Sequence, residues 1–196
     1  MEKPDYRRAY QDLSKVVHKE AALNLCLVHA GVRPGYSDGP EDYANTTTWK
    51  RRTEKALLVA AEHGLEFKVA WYKSRMMDFN LFYVDGDYDL NKMMHYELGH
   101  ALGFPKECLA QLGTLKVETY GFHISCGRVD VLAFVSWHLT DKLVRWAART
   151  AREIKTFVRK ERLPFSGTSF WVRQMVKRRG GNKVIQRVKT IKRVKV

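Results

Sequence analysis

The chain has 196 residues, 45% of them apolar and 12% aromatic, which is enough to bury a core without disulfide or metal staples and excludes wholesale disorder. Its net charge is +14, and the excess is not spread evenly. Met1 to Asp141 holds 17 Lys and Arg against 19 Asp and Glu, whereas Lys142 to Val196 holds 18 against only Glu153 and Glu161.

Such a field attracts polyanions, of which nucleic acid is the commonest in a cell. Anionic lipid and acidic protein are the competitors. Cys26, Cys108 and Cys126 are an odd, sparse set that does not suit a secreted disulfide framework. The first residues, Met1 to Arg8, lack the apolar core of a signal peptide. No apolar run approaches the roughly 20 residues needed to span a bilayer. The expected location is cytoplasmic.

In chain order, Tyr6, Tyr10, Leu13, Val17, Ala21, Leu25 and Val28 recur at helical spacing and predict a helix over 5–30, stopped by Gly31 and Pro34-Gly35. A polar loop leads to a second helix over about 41–63, with Trp49, Ala56, Leu57, Ala60 and Ala61 on its stripe and Gly64 as its stop. Two runs rich in β-branched and aromatic residues, 67–72 and 79–84, predict strands, with a turn at Asp85-Gly86-Asp87. Residues 88–103 read as helical, broken at Gly103-Phe104-Pro105, with a short helix from Pro105 to Leu112. Thr119 to Ile124 is a candidate third strand.

One long helix is expected from Arg128 to about Arg162. Its second half is two-faced: Leu139, Leu143, Ala147, Ala151, Ile154, Phe157 and Val158 on one side, Lys142, Arg145, Arg149, Arg152, Lys155 and Arg159 on the other. The cationic side describes a solvated surface as well as a binding face. The scarcity of interleaved acids sets the two readings level. Pro164 closes the helix and Ser166-Gly-Thr-Ser169 reads as a loop. From Pro164 to Val196 there is no acid at all, and Gly180-Gly181 divides the segment. The period of its valines and isoleucines fits neither strand nor helix cleanly, so the conformation of 183–196 stays open.

The expected fold is therefore α+β and predominantly α-helical. A globular domain over 1–162 carries a small sheet from the 66–84 region, and 163–196 forms a basic extension.

Two constellations suggest chemistry. Tyr96-Glu-Leu-Gly-His100 resembles the zinc-protease helix, but Tyr96 stands where the first metal-binding His is needed and Lys106 where the third would fall. His95 and His100 point apart on a helix. The reading is a helix over 93–103 without a three-ligand site. Cys108, His123 and Cys126 are weak metal candidates, since no Cys-x-x-Cys pair is present and small buried cysteines are common. No cofactor is expected.

The run His95-Tyr-Glu-Leu-Gly-His-Ala-Leu-Gly-Phe-Pro-Lys-Glu-Cys108, followed by Tyr120-Gly-Phe-His-Ile-Ser-Cys126, resembles a family of uncharacterised, mostly archaeal proteins. Those proteins carry a Leu-Gly-Tyr/Phe-Pro-x-Cys-Cys turn and a downstream His-x-x-Cys. The resemblance covers roughly 80–150. Glu107 stands in place of the first cysteine of the pair, so thiol or metal chemistry needing both does not carry over. The resemblance implies no activity and does not include the basic tail.

The functional expectation is a non-catalytic RNA-binding protein in a ribosome-associated setting. Contacts would come from Arg145, Arg149, Arg152 and Arg159 on the helix, and from Trp171, Arg173, Lys177, Arg178, Arg179, Lys183, Arg187, Lys189, Lys192, Arg193 and Lys195 on the tail. Trp171 or Phe170 would stack on a base. RNA is preferred to DNA because no helix-turn-helix, zinc-finger or basic-zipper pattern is visible. The alternatives are a Cys/His-dependent enzyme acting on nucleic acid and a binder of membrane surfaces or acidic proteins through the amphipathic helix.

Overall fold

A computed structural model describes residues 3–40, 43, 45–73, 78–92, 95–105, 118–136, 139–180 and 183–195. The chain falls into two compact units. The first comprises Met1–Gly103 with Phe157–Leu163, and the second Phe104–Thr156 with Pro164–Val196. This differs from the expected split at 162, because the segment beyond Pro164 is built into a sheet.

In the first unit, α1 (Tyr6–Leu13) and α2 (Lys19–His29) replace the single helix expected over 5–30. Asp5 caps α1 by accepting from the amides of Arg7 and Arg8 at 3.1 Å. The backbone leaves helical form over Ser14–His18, and the apolar spacing happens to continue across the gap. β1 (Gly35–Asp38) follows, then α3 (Thr46–Glu62), capped by Asn45 accepting from the Thr48 amide at 2.8 Å. Gly31 and Gly64 close α2 and α3 as expected, at φ +69 and +70.

β2 (Lys68–Lys73) and β3 (Asp78–Tyr83) match the expected strands, and with β1 they form an antiparallel sheet in the order β1-β3-β2. α4 (His95–Ala101) is shorter than the helix read over 88–103, and the chain turns at Gly103, φ +80. Phe104 is half-buried there. The helix expected from Pro105 to Leu112 lies outside the described residues. The core of this unit includes Leu13, Leu23, Leu25, Leu27, Trp49, Leu65 and Leu81, each almost fully buried.

The second unit holds β4 (Glu118–Cys126), β5 (Val129–Ser136), most of α5 (Asp141–Lys160), β6 (Thr168–Gly180) and β7 (Lys183–Lys195). Its strands form an antiparallel sheet in the order β5-β4-β6-β7. The long helix expected from 128 is thus a strand followed by a helix. Val129-Asp-Val-Leu-Ala-Phe-Val-Ser136 is β-branched and aromatic, and Gly127-Arg128 joins it to β4 as a two-residue hairpin. Gly127 sits at φ +60, which a tight hairpin of this kind requires at its first turn position.

Thr140 caps α5 by accepting from the Leu143 amide at 3.2 Å. At its other end Arg162 takes φ +51 and the Leu163 amide reaches back to the Val158 carbonyl, closing the helix before Pro164. With five helices and seven strands in two antiparallel sheets among the described residues, the fold is mixed α+β. That corrects the predominantly helical expectation. Apolar spacing compatible with a helix continues through β5, and the cationic bias beyond Pro164 masks the β-branched residues of β6 and β7.

Candidate nucleic-acid interface

The division into units sharpens the charge asymmetry. The second unit holds 18 Lys and Arg against five Asp and Glu, and the first 17 against 16. Two elements carry most of the excess.

The first is α5. Arg145, Arg149, Arg152 and Arg159 are all exposed, as the helical projection places them. Arg159 lies in the last turn, which belongs with the first unit. Only Arg149 has a carboxylate neighbour among these four in the described structure, Glu153 at 3.9 Å. An exposed pair at that distance is worth at most about 1 kcal/mol and does not tie up the charge. Of the opposite stripe, Leu143, Ala147, Ala151, Ile154, Phe157 and Val158 are buried, while Leu139, ahead of the helix, is exposed. An apolar face already inside the protein cannot also enter a lipid surface, which removes the support for the membrane-binding alternative.

The second element is the β6–β7 hairpin, where register matters most. Its paired positions are Ser169 with Lys195, Trp171 with Arg193, Val172 with Lys192, Arg173 with Thr190 and Gln174 with Lys189. Towards the tip come Val176 with Arg187, Lys177 with Gln186, Arg178 with Ile185, Arg179 with Val184 and Gly180 with Lys183. Every cation is opposed by a neutral residue, and no two cations stand opposite one another. Like charges directly opposed destabilise a ladder, so this register holds many cations at low internal cost. A one-residue irregularity between Val172 and Arg173 preserves the pattern by skipping Ile191.

Beside these cations sits an aromatic cluster. Phe122, Ile124, Phe170 and Val172 are buried on one face of the sheet. On the other, Trp171 stands opposite His123, their rings stacked at 5.6 Å with 13° between planes. The Arg173 guanidinium carbon lies 5.5 Å from the centre of the same indole, within cation–π range. Trp171 is therefore not the bare stacking surface expected of it, and Phe170 is buried and cannot offer one. Trp171 Nε1 and His123 Nδ1 are buried atoms with no hydrogen-bond partner among the described residues. Buried polar atoms left unpaired are costly, so both would gain from an incoming polar group. Burial holds His123 below the usual histidine pKa, with Arg173 pushing the same way and Asp130 opposing.

Of the metal candidates, His123 and Cys126 do not come together. Cys108 lies outside the described residues. His123 and Cys126 are three positions apart on β4. His123 shares a face with Trp171, while Cys126 is fully buried beside Thr168, its sulfur 3.5 Å from Oγ1. Strand alternation thus places them on opposite sides of the sheet. Burial also raises the Cys126 thiol and pushes Cys26 up to about 12, which disfavours the thiolate a metal or a nucleophilic mechanism needs. In α4, His100 is exposed, and no group of three metal-binding side chains occurs among the described residues.

Two features escaped sequence reading. His123 as the stacking partner of Trp171 is visible only once β4 and β6 are paired. The first unit also buries polar groups: Arg33 donates to Asn24, Tyr43 donates to Asp38 at 2.9 Å, and Asn80 donates to Thr53 at 3.3 Å while accepting from the Asp38 amide. Burial lowers the Arg33 pKa to about 10. These residues are scattered through the sequence with no motif spacing to announce them. Comparison of the chain with family models, curated proteins and solved structures returned no match.

Proposed function

We propose that the second unit binds nucleic acid without catalysis, with RNA as the target and a ribosome-associated, cytoplasmic setting. The observation that carries this reading is the hairpin register, in which ten cations sit in one two-stranded element that contains no acid. No acid within the hairpin's own sequence offsets that charge, which suits it to phosphates. Arg145, Arg149 and Arg152 of α5 are exposed and belong to the same unit, adding to its cationic charge. In the same unit, Trp171 and His123 form a partly exposed stacked pair whose buried ring nitrogens have no hydrogen-bond partner among the described residues, a pair suited to a base.

The test is a salt titration of affinity for single-stranded RNA. Six phosphate contacts give a slope of log affinity against log salt near about −4. Replacing Lys177, Arg178 and Arg179 by Ala flattens it by about two units and weakens binding to every sequence alike. Affinity that ignores both salt and these substitutions refutes the proposal.

A further inference from the structure

The two cationic elements of the second unit hold their charge differently. Across the hairpin no cation stands opposite another. On α5 the arginines stack. Arg145, Arg149 and Arg152 follow one another at spacings of four and three, so they form one row within about 60° of the helix circumference. All three are exposed, Arg149 by 68% of its side chain. Ala148 and Glu153 flank the row on its two sides.

Fold stability does not account for this row. Like charges three and four residues apart destabilise a helix, and two such pairs share Arg149. The helix dipole favours cations in the last turn only, whereas Arg152 lies eight residues before the end of α5 at Lys160. Among the described residues the row has one carboxylate neighbour, Glu153 at 3.9 Å from Arg149, and it follows its cation although such pairs are stronger with the acid first. A row kept for solubility works as well with lysine, yet Lys142, Lys155 and Lys160 project to either side of it. A local cost without a structural gain is expected at functional surfaces.

Arginine differs from lysine in one relevant way. Its planar fork donates two parallel hydrogen bonds to one phosphate, whereas the lysine ammonium acts as a point charge. The row covers about 10.5 Å of helix axis, over which one strand of a B-form duplex carries about three phosphates. Behind it Leu143, Ala147, Ala151 and Ile154 are buried, so the helix offers a single ridge to a ligand.

We infer that Arg145, Arg149 and Arg152 grip consecutive phosphates along one nucleic-acid backbone as bidentate forks. The inference rests on the proposed nucleic-acid function and adds which element holds the backbone and through what contact.

The experiment measures affinity of the full-length protein for oligouridylate of about 12 nucleotides over a range of salt. One variant carries Arg145→Lys, Arg149→Lys and Arg152→Lys, and a second carries Gln at the same three positions. The lysine variant should keep the salt slope and bind about tenfold more weakly, because charge stays and the forks are lost. The glutamine variant should flatten the slope by about two units. It should also melt no lower than the parent at low salt, since the like-charge pairs are gone. A lower melting temperature shows that the arginines serve the fold and overturns the inference. So does a lysine variant that binds like the parent, or a glutamine variant that loses less than about one unit of slope. Polyglutamate bound as tightly as the oligonucleotide, with the same loss in the lysine variant, overturns the phosphate and makes the row a site for acidic protein. If both α5 variants bind like the parent while replacement of Lys177, Arg178 and Arg179 weakens binding, the row falls and the proposed function stands. A parent that binds no oligonucleotide overturns that function itself.

Discussion

His123 and Trp171 stand directly opposite each other on β4 and β6, their rings stacked at 5.6 Å, and each carries a buried nitrogen without a hydrogen-bond partner among the described residues. Stacking favours the pair while the two orphan nitrogens penalise it. A polar ligand that reaches both atoms turns the penalty into binding energy.

If the cluster contacts bases, Trp171→Ala costs about 1–3 kcal/mol of affinity while leaving the salt slope unchanged. Trp171→Phe keeps a ring against His123 and Arg173 and recovers most of that loss. Fluorescence anisotropy at several salt concentrations separates the two effects. An Ala variant that binds like the parent shows that the cluster serves only the fold.

Removal of the C-terminal segment is expected to destroy the second unit. β6 is an interior strand, and Phe170 and Val172 are 1% and 0% exposed. A chain ending at Leu163 leaves the β4 ladder without its partner and uncovers Phe122 and Ile124. Such a chain should lose the near-ultraviolet circular dichroism and the cooperative melt of that unit. A truncated chain that keeps both would show that 164–196 is an appendage after all.

Acid should destabilise the protein through His123. Its folded pKa lies below the ordinary 6.5, mainly through burial, so the unfolded chain takes up the proton first as pH falls. Stability is then fully present above about 6.5 and declines as pH drops from there through the lower folded value. His29, lowered by burial with Glu66 opposing, acts in the same direction. Melting temperatures between neutral and mildly acidic pH should fall, and His123→Gln should reduce that fall without abolishing it. An equal acid response in both proteins removes His123 from the account.

Gly35 tests the packing of the first unit. A β-carbon there would stand 2.5 Å from the Ala101 carbonyl oxygen and 3.2 Å from that of Phe82. Both are backbone atoms, so relief requires β1 or the end of α4 to move. Gly35→Ala should cost about 1–3 kcal/mol, read as a lower denaturant midpoint with an unchanged m-value. A midpoint equal to the parent's would mean that α4 yields freely at this contact.

Much of this protein follows from local sequence alone. The strands at β2, β3 and β4, the helix stops at Gly31 and Gly64, and the two-faced character of α5 all rest on neighbouring residues, so short-range patterns reveal them. The concentration of charge beyond residue 142 is likewise a property of the chain. Gly127-Arg128 between two β-rich runs is a local hairpin signal that the longer helical spacing around it obscures. What only tertiary structure decided is which residues meet across strands. Valines and isoleucines beyond Gly181 gain a reason once β7 pairs with β6. His123 changes from a metal candidate to the stacking partner of Trp171, because pairing of β4 with β6 sets the two opposite while alternation sends Cys126 to the other face. The separation of every cation from every other across the hairpin depends on its register, including the one-residue shift between Val172 and Arg173. A slip of one residue would change every partner and every face, and no local propensity encodes that choice.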